Sequence, residues 1–182
     1  MVAHASLSNV RNLEQFLLKF GTAVIKAVAS TAGEYESLIV KYLEGTHFVF
    51  DRSRFASCDE VVSLNWTPDM NDVYKMLRLP QRIAEEKGRA YYVILEDFQN
   101  LMLADEYDDV FKLMEELFRE RNRMQQASAS FVITGSQVNA MKYIFEEKKY
   151  FYRLVEKIGM SPVDDREIIE YIVKGFMISG KV

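Results

Sequence analysis

Apolar and polar residues follow two different periods along this chain, and the switches between them mark its elements. Leu13, Phe16, Leu17, Phe20, Val24, Ile25 and Val28 recur every three or four positions, which lines one face of a helix. Asn12 stands where an N-cap belongs, with Gln15 three residues on,. A second helical stretch at 34–43 stops near Gly45, a residue suited to a helix end. A long helix is predicted to start around Pro68 to Asn71, with Val73, Met76, Leu77, Ile83 and Ala84 on its face. Pro80 is expected to kink or split it, and Gly88 to close it. A charged helix covers about 105–126, burying Phe111, Met114, Leu117, Phe118 and Met124. A short helix at about 139–145 and a last one at 165–176 complete the helical set.

The other period belongs to strands. Tyr91-Tyr92-Val93-Ile94-Leu95 and Ser130-Phe131-Val132-Ile133-Thr134 are continuous β-prone runs, the pattern of strands covered on both faces. Val2 to Leu7 predicts a first strand. Glu156 to Met160 predicts a last short one, broken by Pro162. Residues 46–66 read as an excursion loop with a short strand at 61–64. The runs His47-Phe48-Val49-Phe50 and Val61-Val62-Ser63-Leu64 flank a polar Asp51-Arg52-Ser53-Arg54. Strands alternating with helices at these spacings predict an α/β fold with a mostly parallel sheet and right-handed crossovers.

Composition narrows the function. The 182 residues fit one domain, with room for the start of a second,. The net charge of −4 argues against broad binding to DNA or to an anionic membrane. The basic-aromatic segments 47–55 and 148–153 are the best nucleic-acid candidates and read better as ordinary polar surface. Cys58 is the only cysteine, so no internal disulfide forms and a reducing, cytoplasmic setting is expected,. His4 and His47 lie too far apart in sequence to give a zinc-site spacing with it,. The apolar runs fall short of the roughly 20 residues of a membrane span, and no signal peptide is visible.

The strongest chemical signal is Val93-Ile94-Leu95-Glu96-Asp97-Phe98-Gln99. Two carboxylates follow a buried strand, at the sheet edge where ligands bind in α/β folds. Such a pair can hold Mg²⁺ and polarise a water for attack on phosphorus. The plain alternative is that both acids cap the following turn. The segment resembles the Walker B strand of P-loop ATPases. It is most similar to the prokaryotic and archaeal ATPase family of the AAA+/STAND superfamily, whose strand ends Asp-Glu-Phe-Gln. Here the acids are inverted, Glu96 before Asp97. By position the resemblance gives Glu96 the Mg²⁺ role and Asp97 the water-activating role, with Gln99 beside them. The inversion moves each carboxylate by roughly 1 Å, which can cost on the order of 100-fold in rate.

Two further segments carry the resemblance. Phe131-Val132-Ile133-Thr134-Gly135-Ser136 is similar to the family's next strand, which ends in Gly-Ser. This implies nucleotide contact at Gly135 and a sensor 1 hydroxyl at Ser136. Phe145 to Arg153 resembles an aromatic-then-arginine element, with Arg153 placed to meet phosphate in a bidentate way,. The likeness covers roughly residues 1–180. It implies a P-loop NTPase-like three-layer sandwich binding ATP and Mg²⁺, with residues 1–160 a partial ATPase core and 161–182 the start of a helical lid.

The phosphate-binding Walker A loop is not among these residues. Gly175-Phe176-Met177-Ile178-Ser179-Gly180-Lys181-Val182 has the glycine spacing, but it follows a helix and lacks the hydroxyl after the lysine. A working loop needs a strand before it and a helix after it. The expectation is therefore a fragment of an ATPase that hydrolyses Mg-ATP when joined to its Walker A half. The alternative is a degenerate, inactive ATPase kept as a protein-interaction module, with a protein partner or self-association.

Overall fold

The computed structural model describes residues 1–121, 128–159 and 164–180. Three parallel strands form its centre: β1 (Val2–Ser6), β4 (Tyr91–Glu96) and β5 (Ala129–Ile133), in the order β1-β4-β5. Val2 pairs with Tyr92 and Tyr91 with Ala129. Between β1 and β4 run α1 (Leu13–Lys26), α2 (Ala32–Tyr42), α3 (Arg52–Cys58) and α4 (Met70–Lys87). A small antiparallel pair, β2 (Phe48–Val49) and β3 (Ser63–Leu64), lies within that excursion. After β4 come a 3-10 turn (Phe98–Leu103) and α5 (Tyr107–Arg121). After β5 come α6 (Val138–Lys142), a π turn (Tyr143–Glu147) and finally α7 (Asp165–Ile178). The α/β class is as expected.

The helix ends follow the cap chemistry written in the sequence. Asn12 Oδ1 accepts from Gln15 N at 2.9 Å, and Gln15 Oε1 accepts from Arg11 N. Asp69 and Asp72 form a reciprocal capping box on α4, and Gly88 closes that helix in the left-handed region at φ 59°. Pro80 does not split α4, which runs unbroken for 18 residues with Pro80 buried in its packed face. The polar segment expected to be loop is helical. Asp51 accepts the amides of Ser53 and Arg54 and starts α3. Phe55 of this helix joins Tyr35 and Phe50 in an aromatic cluster.

The core lies on one face of the sheet. Ala3, Ala5, Tyr91, Val93 and Leu95 are buried there beneath α1 and α4. The Tyr91 hydroxyl donates to Val24 O of α1 at 2.6 Å, and Phe131 of β5 stacks between Phe20 of α1 and Phe118 of α5. The alternate residues point the other way. Val2, Tyr92 and Val132 are 57, 47 and 49 % exposed. Among the described residues no layer covers that second face.

Two expectations at the end of the chain change. The strand predicted at Glu156 to Met160 is not formed over residues 156–159, and Met160 lies outside the described residues. Ile158, its central apolar residue, is 88 % exposed, and no described strand pairs with it. The last helix forms, but no residue of α7 is buried. Met124 of the charged helix, and Lys181 and Val182 of the glycine-spaced string, lie outside the described residues.

Candidate functional site

The ladder between β4 and β5 runs past their formal ends. Thr134 N donates to Leu95 O at 2.9 Å and Phe98 N to Thr134 O at 3.0 Å. The two carboxyl ends are thus held side by side, and the residues after them meet. Asp97 stands in the left-handed region at φ 53°, which breaks the strand's alternation. Its Oδ1 accepts from Ser136 Oγ at 2.6 Å and from Gln99 Nε2 at 3.2 Å. Gln99 Nε2 also lies 3.2 Å from Ser136 Oγ.

This triad has three further properties. First, the Ser136 hydroxyl and then the Gln99 amide hold the Asp97 carboxyl below its ordinary range, so it is ionised at neutral pH. Second, Gln99 is 4 % exposed and its Oε1 is buried with no hydrogen-bond partner. An orphaned buried acceptor is costly, and a bound water or cation would relieve it. Third, Gly135 has no room for a side chain. A Cβ there would sit 2.5 Å from Gln99 Oε1 and collide with Met141 Sδ.

The structure brings together Asp97, Gln99, Gly135 and Ser136 and sets the other two predicted residues apart. Glu96 keeps the strand's alternation and turns to the open sheet face, where its Oε1 lies 3.0 Å from His4 Nε2 on β1. The two neighbouring acids therefore hold different partners. Arg153 is exposed in a turn at φ 59°, with its guanidinium 5.2 Å from the Tyr152 ring centre. No hydrogen bond or ion pair joins it to Glu96, Asp97 or Ser136. Just before it, Phe151 is buried among Phe98, Phe111, Phe118 and Phe145, so this segment docks through the aromatic ring.

A second cluster escaped the sequence reading. His47, Asp69 and Asp72 bring potential ligand atoms within 4.8 Å of one another. The three are bonded to one another. The fully buried Asp72 accepts from His47 N at 2.9 Å, from His47 Nδ1 at 2.8 Å and from Asp69 N at 2.8 Å. The hydrogen bond that His47 donates to Asp72 raises the His47 pKa. Burial pushes Asp72 upward, but the bonds from His47 and from the backbone of Asp69 outweigh it and hold the carboxyl low. This is a clamp that fixes residue 47 to the start of α4. Its signal was the Asp-x-x-Asp box at Asp69. The histidine, 25 positions before Asp72, could only be found by folding the chain.

The basic-aromatic segments are engaged within the molecule. Arg52 pairs with Glu36 and Arg54 with Glu60, and Lys148 lies over the Tyr143 ring. No described helix is long and apolar enough to cross a membrane. No family model matches the chain, and neither a characterised protein nor a solved structure matches it.

Proposed function

We propose that the chain is the Walker B half of a P-loop-type ATPase core, a three-layer sandwich that binds and hydrolyses Mg-ATP in the cytoplasm once joined to a Walker A half. The observation that carries this is the bonded group of Asp97, Ser136 and Gln99 beyond the carboxyl ends of two neighbouring parallel strands. That is the ligand-binding edge of an open α/β sheet. An ionised carboxylate, a hydroxyl and an unsatisfied amide oxygen suit a hard cation that keeps most of its waters. When bound, Mg²⁺ would neutralise charge on the phosphates.

The chain's own residues would do the rest. Ser136 orients the Asp97 carboxylate, and its hydroxyl can turn to a phosphate oxygen. With its pKa held down, Asp97 is a good acceptor for a metal-bound or attacking water and a weak proton acceptor. Gln99 holds both from below. Among the described residues no lysine or arginine bonds to this group, so on this reading the cation that a triphosphate needs comes with the Walker A loop. The free edge of β5 supports such an addition. Its even-numbered residues bond to β4, so the N–H and C=O groups of Phe131 and Ile133 face outward, beyond the amide of Ala129 that Gln81 Oε1 caps at 2.8 Å.

A fusion that supplies a strand, Walker A loop and helix ahead of residue 1 tests the reading. Mg²⁺-dependent ATP hydrolysis lost on Asp97→Asn is expected. A folded fusion with no nucleotide binding sinks it. The second reading, a degenerate ATPase acting as an interaction module, is favoured by the commitment of Glu96 to His4. It predicts nucleotide-independent partner binding that survives Ala at both Glu96 and Asp97.

A further inference from the structure

Two surfaces of this chain lack a partner among the described residues, and they fit each other. The first is the open face of the sheet, where Val2, Tyr92, Ile94 and Val132 lie among His4, Ser6, Glu96 and Ser130. Parallel sheets are almost always covered on both faces. The strands there are about 16 Å long and the three span about 10 Å. The second is α7. Ile168, Ile169, Ile172, Val173 and Phe176 are 43 to 61 % exposed and repeat at i, i+1, i+4, i+5 and i+8, one continuous stripe. Glu167, Glu170 and Lys174 occupy the opposite side, together with the exposed Tyr171 and Ile178. A 14-residue helix is about 21 Å long, the size of a single crossover helix on a sheet.

The chain's own α7 stands clear of its own sheet, since every residue of 164–180 is exposed. We propose that a second copy of this chain covers the open sheet face with its α7, and receives the first copy's α7 in return. One two-fold axis then satisfies both surfaces in both chains, an isologous closed dimer. Covering the two stripes and two sheet faces buries on the order of 1,500 Å², the size of a standard specific interface. The helix supplies the missing layer of the sandwich in trans. The contact leaves the β5 edge and the Asp97 group free. It uses the face on which a right-handed crossover from a strand beyond β5 back to β1 would place the Walker A helix, so the dimer is the state of the chain without that half,.

The test is the mass of the whole chain in solution by light scattering and sedimentation, at about 1 to 100 μM. The expected species has twice the 21.2 kDa of one chain. Ile172→Glu on the helix and Val132→Glu on the sheet should each weaken the dimer by at least about 100-fold, with helical circular dichroism unchanged. Mixing the two variants should restore a dimer, because one helix-on-sheet contact is then intact. If Val132→Glu fails to fold, the sheet arm is read by disulfide trapping. Chains carrying Cys58→Ser with Val132→Cys should cross-link to chains carrying Cys58→Ser with Ile172→Cys. A monomeric wild type, open-ended aggregates, a dimer indifferent to Ile172→Glu, or a trapping mixture that gives no heterodimer would overturn the proposal.

Discussion

The two faces of the central sheet are made from the same strands, residue by residue in alternation, yet they live in different environments. Ala3, Ala5, Tyr91, Val93 and Leu95 are at most 4 % exposed, whereas Val2, Tyr92 and Val132 lie near half exposure. Composition separates them in part, since the buried set is apolar throughout while His4, Ser6, Glu96 and Ser130 share the open face with Val2, Tyr92, Ile94 and Val132. The larger difference is whether a helix is available. The two helices of the β1-to-β4 excursion that pack on the sheet, α1 and α4, go to one side, and α5 packs beside α4 on that side. Apolar character in a strand therefore tells that a face is meant to be covered, and leaves open which chain covers it.

The comparison breaks most sharply at Leu95. Leu95→Ala should cost about 3 kcal/mol by leaving a cavity under α1 and α4, measured by urea unfolding. Asp72→Ala should come next, at about 2 to 3 kcal/mol, because it removes the N3 half of the α4 capping box and strands the Asp69 amide and the two His47 donors,. Gly135→Ala should cost about 1 to 2 kcal/mol by displacing Gln99 and Met141. The shift of the Gln99 side-chain amide resonances in an NMR spectrum would report the displacement directly.

The smallest mutational effect belongs to the open face. Val132→Ser should change stability by less than about 0.5 kcal/mol in dilute, unassociated protein. A loss comparable to Leu95→Ala would show that this face is covered within one chain.

The clamp at residue 47 adds a pH test. His47 has a raised pKa, so its contribution is complete below about pH 6.5 and fades as pH rises through the higher folded value. Asp72 has a lowered pKa, so its contribution is complete above about pH 3.9 and fades as pH falls through the lower folded value. The difference in stability between the wild type and His47→Gln should therefore be greatest between about pH 4 and 6.5. A difference that is flat from pH 4 to 9 would show that the imidazole charge plays no part.

Much of the fold was legible because its signals are local. The strands read at 91–95 and 130–134, the stripe of α1, its cap at Asn12 and the start of α4 near residues 68–71 depend on residues a few positions apart. The candidate site was half legible. The positions of Asp97, Gln99, Gly135 and Ser136 follow from two strand ends in one register. Their hydrogen bonds depend on the left-handed turn at Asp97, which no residue type at that position demands. The separation of Glu96 from Asp97 was hidden for the same reason, since it needs the pairing of Ser6 with Glu96 that brings His4 near. Helix α3 was missed because seven residues with no buried side chain carry no stripe. Only Asp51, a helix-starting residue followed closely by Ser53, announced it. Of the strand expected at 156–160, residues 156–159 stay irregular because an apolar residue suits a strand only where a neighbour waits.

The register of β1 against β4 also bears on how the molecule is born. Val2 pairs with Tyr92, so the first strand finds its partner only about 90 residues later. At typical synthesis rates that is a wait of roughly 5 to 20 s. Pairings of such long range close slowly, and β4 then has to receive β1 on one edge and β5 on the other. The nascent chain thus holds an unmatched β1 while α1 to α4 emerge, and the order of assembly is set by the middle strand of the sheet.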